Sequence, residues 1–258
     1  MFRRIIFAAA ISGVLAGLLL SAVQSMRSVP LILLAETYET AAHTLGSGAV
    51  PHTHMESGVT HTHSGGAAMH THNSAAATHS HETAATHMHG PAGGASADLS
   101  RTALAAVSNI VAAIAFALLL IAGFVLRGGA DWRKGVLWGL GGFAAFSLAP
   151  SLGLPPELPG AFAAPVPDRQ LWWALTVALT AAGLAVAAFA PGRGWKVLGA
   201  ALIALPHLIG APQPIQHGGL APEALAREFA VAALLASGLF WIALGGLSGY
   251  FFNRFEDA

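Results

Sequence analysis

The chain contains no cysteine. Disulfides, thiolate chemistry and cysteine-based zinc or iron–sulfur centres are therefore excluded, and histidine, carboxylates and methionine remain as metal ligands. Charge is nearly as scarce. Only 9% of the 258 residues are Asp, Glu, Lys or Arg, with twelve basic residues balancing twelve acidic ones, so the chain has no electrostatic footprint for nucleic acid. Neither a Gly-x-x-x-x-Gly-Lys-Ser/Thr phosphate loop nor a His-Glu-x-x-His metallohydrolase pattern occurs, and no enzymatic activity is expected. Apolar residues, by contrast, make up 55% of the chain and fall in long blocks. That composition belongs to an all-α integral membrane protein.

A hydrocarbon core of ~30 Å needs roughly 17–25 helical residues. The apolar blocks predict six transmembrane helices, near 5–23, 103–126, 135–152, 171–190, 195–211 and 229–250. The fifth is the shortest, so five to six spans are expected. Arg3 and Arg4 ahead of the first block resemble the start of a signal peptide. However, the block is long and Ser25-Met26-Arg27 is a poor cleavage site, so the first helix is expected to be retained. With both termini cytoplasmic, Arg3, Arg4, Arg127, Arg133, Lys134, Arg193, Lys196 and Arg254 lie inside, against Arg27, Arg101, Arg169 and Arg227 outside. This asymmetry sets the expected orientation and places the segment between the first two spans outside.

That segment organises the chain into three parts: 1–45 with the first span and an interfacial helix, 46–99 as a tether, and 100–258 as a five-helix bundle. The interfacial helix is expected at 29–42, because Leu31, Leu34, Ala35 and Tyr38 recur at helical spacing while Glu36 and Glu39 fall elsewhere on the wheel. The tether is Thr, Ser, Gly, Ala and His with no large apolar cluster to bury, and it is expected to be disordered without metal. Small residues four apart at Gly13/Gly17, Gly135/Gly139 and Gly245/Gly249 mark faces where helices can approach closely.

Histidines in the tether come in pairs: His52/His54, His61/His63, His70/His72, His79/His81 and His87/His89. The first four pairs repeat every nine residues and the last comes after eight. An imidazole with its ordinary pKa of ~6.5 is mostly neutral at physiological pH and ready to coordinate. A His-x-His pair on a flexible chain can close on one ion, and several pairs on one tether raise the local ligand concentration. Co(II), Ni(II), Zn(II) and Cu(II) all suit such a site. An internal position and Thr, Ser and Gly interleaving argue against an expression tag. In the spans, Pro206 cannot serve the carbonyl of Leu202, which makes His207 beside it a candidate cation ligand. Glu157 in Pro155-Pro156-Glu157-Leu158-Pro159-Gly160, and Glu36 and Glu39, are further candidates.

These segments together resemble the CbtA family of cobalt transporter subunits. The likeness rests on Phe2-Arg3-Arg4-Ile5 with Gly13 and Gly17, Pro30-Leu31-Ile32-Leu33, Ala35-Glu36-Thr37-Tyr38-Glu39, the Pro-Glu-Leu-Pro-Gly of 156–160, Arg169-Gln170-Leu171-Trp172-Trp173 and Pro206-His207-Leu208-Ile209-Gly210-Ala211-Pro212. The resemblance implies uptake of cobalt across the bacterial inner membrane, often tied to cobalamin supply, together with a small membrane partner, CbtB. The metal is then cargo. Residue chemistry alone leaves nickel and zinc open, as well as a homo-oligomer and a membrane buffer or sensor that binds metal without conducting it.

Overall fold

A computed structural model describes the backbone of residues 2–46, 52–53, 60–61 and 95–255, with side chains at 2–42 and 100–255. Its helices are α1 (Phe2–Gly46), α2 (Ala95–Leu126), α3 (Trp132–Phe143), a π-helical turn (Ala144–Leu148), α4 (Ala149–Ser151), α5 (Val166–Phe189), α6 (Arg193–Ile209) and α7 (Glu223–Arg254). Strands β1 (His52–Thr53) and β2 (Thr60–His61) pair antiparallel, with His52 opposite His61. The chain divides into two compact units, Met1–Glu39 with Ala103–Ala258, and Thr40–Thr102. The remainder of the expected tether lies outside the described residues.

Four helices are long and apolar enough to cross a membrane among the described residues: Phe2–Ala42, Ser100–Leu126, Val166–Phe189 and Glu223–Arg254. The stretches expected at 135–152 and 195–211 are also helical. At about 1.5 Å per residue, the 17 residues of α6 reach about 25 Å, the lower limit for a span. In the other stretch, α3 has 12 residues before its geometry changes.

Two expectations need correction. The interfacial helix at 29–42 is not separate, because α1 runs unbroken through Pro30. Proline removes one backbone bond there, yet buried Ser28 and Ala35 hold the helix on both sides of it. The buried stripe is also rotated from the one expected. Ala35 packs with Leu158 and Leu225, flanked by Leu31 and Ile32, while Leu34 and Tyr38 are exposed. Similarly, α2 begins at Ala95, inside the segment expected to be tether.

The glycine pairs mark close crossings. A side chain on Gly13 or Gly17 would meet the backbone of Ile114 or Ile110 at 2.6 Å, so α1 and α2 touch backbone to backbone. On α3 and α7 the two motifs face each other: Gly245 lies against the carbonyl of Gly135, Gly139 against that of Trp241, and Gly249 against that of Asp131. A third crossing, where a side chain on Gly183 of α5 would lie 2.6 Å from the Gly199 carbonyl oxygen of α6, was not expected, because each helix brings one glycine to it and no four-residue spacing announces it.

An apolar core containing Ala9, Ala16, Ala117, Ile121, Phe124 and Leu244 fills the bundle toward the helix ends that carry Arg4 and Arg127. Arg4 donates to the Phe252 carbonyl at 2.6 Å and stacks 3.8 Å over the Phe252 ring. Arg127 lies 3.8 Å over Phe189. The eight basic residues expected on one side of a membrane thus gather at one end of the helices. The other end carries the 152–165 loop, the C-terminus of α6 and the N-terminus of α7.

Candidate functional site

Proline shapes the loop end of the bundle. Pro150 has no N–H to offer the carbonyl of Phe146 four residues back, and its ring crowds that oxygen. The helix widens into π geometry over Ala144–Leu148, just ahead of Pro150. There the Ala149 N–H reaches back five residues to the Ala144 carbonyl. An extra residue in a helix rotates the side chains beyond it by about 100°. Within this turn the Ser147 hydroxyl meets the Ser237 hydroxyl of α7 at 2.7 Å. Turns of this kind in membrane helices re-satisfy backbone around proline and recur at functional sites.

A cavity of about 530 Å³ opens beside this pair. Its polar lining includes Ser147, Ser151, Glu157, Arg169, Gln170 and Ser237. Arg169, in the first turn of α5, donates to Glu157 Oε2 at 2.8 Å, with the two side chains 31% and 28% exposed. Glu157 is therefore half of a neutral pair and not a lone anion. The guanidinium occupies one oxygen of its carboxylate. Glu39 reaches the same loop, because a side chain on Gly160 would lie 3.0 Å from Glu39 Oε1. Glu36 is partly buried on α1.

His207 sits in the last turn of α6. Pro206 does not break this helix; α6 runs on to Ile209 and stops at Gly210, whose φ of +91° suits glycine. The Pro206 carbonyl accepts from the Gly210 N–H at 3.1 Å and from Trp172 Nε1 at 3.2 Å, and two donors leave it no lone pair for an ion. The Trp172 ring meets His207 edge-on at 5.9 Å. His207 Nε2 is buried with no hydrogen-bond partner in the protein, and a buried nitrogen of this kind is satisfied by a ligand or a water.

Across residues 2–253 the chain matches the family model of CbtA, described as a probable cobalt transporter subunit. The chain belongs to the CbtA family. No curated protein matches it, and no solved structure does. For a CbtA subunit the arrangement at the loop end is informative in what it does not assemble. Among the described residues no three His, Asp or Glu side chains come together as a metal-holding group. Glu39 of α1 reaches the loop that carries Glu157, whereas His207 stands apart with Trp172. Of the ten paired histidines, His52 and His61 are described as backbone only, facing each other across the two-residue ladder. His54, His63, His70, His72, His79, His81, His87 and His89 lie outside the described residues. The sequence reading missed Ser147 and Ser237. Pro150 inside an apolar span was the signal that could have drawn attention to the turn before it.

Proposed function

We propose that this CbtA-family subunit admits cobalt(II) across the bacterial cytoplasmic membrane, with six helical spans and both termini inside. The family match over residues 2–253 carries the reading. The four long apolar helices and the cavity at the end opposite the basic residues support it. Paired imidazoles in 52–89 collect the ion outside, and Glu36, Glu39, Glu157 and His207 receive it at the mouth of the bundle. Imidazole pairs accept nickel and zinc as well, so discrimination falls to the bundle and to a partner such as CbtB.

No on-chain nucleotide motif supplies energy. An inside-negative potential favours inward movement of a dication by about 4.6 kcal/mol per 100 mV, at about 2.3 for each charge. Potential-driven uptake is therefore energetically sufficient for moderate accumulation. The test is isotopic cobalt and nickel uptake into sealed proteoliposomes holding the full chain, with and without the small partner, under an imposed potential. Potential-dependent cobalt accumulation is the expected result. Metal bound to the outside with an unchanged lumen, even with the partner present, would instead identify a non-conducting buffer.

A further inference from the structure

A second cavity, of about 490 Å³, lies between α1, α2, the π turn and α7. It shares Phe146, Ser147, Trp173, Ala233 and Ser237 with the first. The Ser147–Ser237 hydroxyl pair therefore stands in the wall common to both chambers. Apart from two indoles, the polar side chains lining the second chamber among the described residues are Gln24, Ser28, Ser147 and Ser237; no carboxylate, guanidinium, ammonium or imidazole is present. Ser28 is 6% exposed and its hydroxyl has no hydrogen-bond partner. A buried hydroxyl left unpaired costs about 1–3 kcal/mol, and one that borders a roomy chamber is satisfied when the chamber holds water. The Gln24 carbonyl is held in place by Asn109 Nδ2 at 2.8 Å, which also donates to Ser21 at 3.0 Å.

We propose that Ser147, Ser237, Ser28 and Gln24 form a neutral-oxygen station at which the transported divalent cation rests with its water shell intact. The inference rests on the transport reading and specifies the route. A hydrated cation turns its water hydrogens outward, so it needs acceptors around it, and hydroxyl and amide oxygens are acceptors. Six waters at roughly 30 Å³ each occupy about 180 Å³, which either chamber accommodates. Aromatic side chains supply much of the remaining lining, with Phe116, Phe146, Trp173 and Trp241 all on the cavity wall. Phe146 stacks on Trp241 at 5.5 Å and Phe116 packs on Trp241 at 4.9 Å, and an aromatic wall attracts a cation without binding it tightly.

Because the chain has no cysteine, Ser147→Cys and Ser237→Cys each introduce a unique thiol. The full chain in proteoliposomes is treated with a charged, membrane-impermeant thiosulfonate or with a neutral, membrane-permeant maleimide, with and without cobalt(II) chloride. Leu148→Cys and Leu239→Cys, at side chains 42% and 52% exposed, serve as lipid-facing controls. The charged reagent is expected to reach both serine positions and neither leucine position. Cobalt should slow that reaction about tenfold at about ten times its dissociation constant. Modification at the serine positions by the maleimide alone would overturn the proposal, because lipid or a partner helix then fills the chambers. Ser147→Val and Ser237→Val report separately on flux. If they leave cobalt flux at the wild-type level, the station falls while transport stands. If cobalt protects both thiols but none crosses, the station stands and the transport reading falls. Ser147→Ala, which removes the hydroxyl without adding bulk, shows whether any loss in the valine variants is a folding effect.

Discussion

The Ser147–Ser237 pair lies beyond the α3–α7 crossing, where the π turn that follows α3 meets α7, and a single methyl group tests how closely these helices pack. On Gly245 a side chain would lie 2.8 Å from the Gly139 Cα, where ordinary contact starts at 3.4 Å, and it would overlap the Gly135 carbonyl. Backbone cannot rotate aside as a flexible side chain can. In Gly245→Ala the helices must therefore separate by at least about 0.6 Å. Overpacking of this kind costs about 1–3 kcal/mol. On the scale of a soluble domain of 150–250 residues, it lowers the melting temperature by about 2–12 °C. The separation also stretches the 2.7 Å hydroxyl contact toward the limit of a hydrogen bond.

The matched control lies on the same helix. A methyl on Gly238 meets only the Phe143 ring edge, at 3.7 Å, so Gly238→Ala introduces no overlap. Replacing a helical glycine by alanine gains up to about 1 kcal/mol. Thermal unfolding of both variants in one detergent, together with cobalt flux in proteoliposomes, separates the two cases. Gly245→Ala should melt lower and conduct less, and Gly238→Ala should match or exceed the wild type in stability. Equal melting temperatures would refute the close crossing, and the functional argument built on it would go as well.

Removing residues 46–97 should weaken cobalt uptake at low external metal and leave substantial uptake at high metal; loss at every concentration would contradict a capture role for the paired histidines. Capture should also fall on acidification, because coordination needs neutral imidazole: binding is complete well above pH ~6.5 and only about 3% of ordinary imidazoles remain neutral at pH 5. Calorimetric titration of cobalt into full-length and loop-deleted chains at both pH values should show the difference in the full-length chain alone. Glu157→Gln leaves Arg169 unpaired at the mouth; a partly exposed ion pair contributes at most about 1 kcal/mol, so stability should barely change while uptake at low ionic strength falls about tenfold. An unchanged uptake rate would remove Glu157 from the route. His207→Ala deletes a nitrogen that has no protein partner and one edge contact with Trp172, so its melting temperature should fall only slightly while cobalt uptake drops. A large melting shift with normal flux would make His207 a packing residue.

Local patterns in the chain proved more legible than distant pairings. Apolar blocks located the helices, and glycines four apart found the α1–α2 and α3–α7 crossings, because both signals are complete within one helix. Continuity through Pro30 was not legible. Pro30 comes just after the polar Arg27 and Ser28, and the burial of Ala35 that favours an unbroken α1 comes from Leu158 and Leu225, far along the chain. Gly183 and Gly199 escaped for the same reason, each being one half of a contact between two helices. Ser147 and Ser237 are 90 residues apart, and their meeting depends on a helical turn that local propensity does not specify.

Strong and weak ligands are also sorted in a way that suits conduction. A site that binds too tightly holds its ion, and passage requires binding favourable enough to enter but weak enough to leave. Ten of the thirteen histidines fall in the pairs between 52 and 89, whereas no three metal-ligating side chains cluster among the described residues of the bundle. On the transport reading this division has a physical purpose: imidazole pairs raise the local supply of metal, and neutral hydroxyls pass it on without stripping its water. The same logic predicts a cost for improving the ligands. Ser147→His with Ser237→His would put two imidazoles where two hydroxyls meet, and cobalt retention by the purified full chain should rise as its flux falls. If both rose together, the station would need stronger ligands than it has, and the route would have to run elsewhere in the bundle.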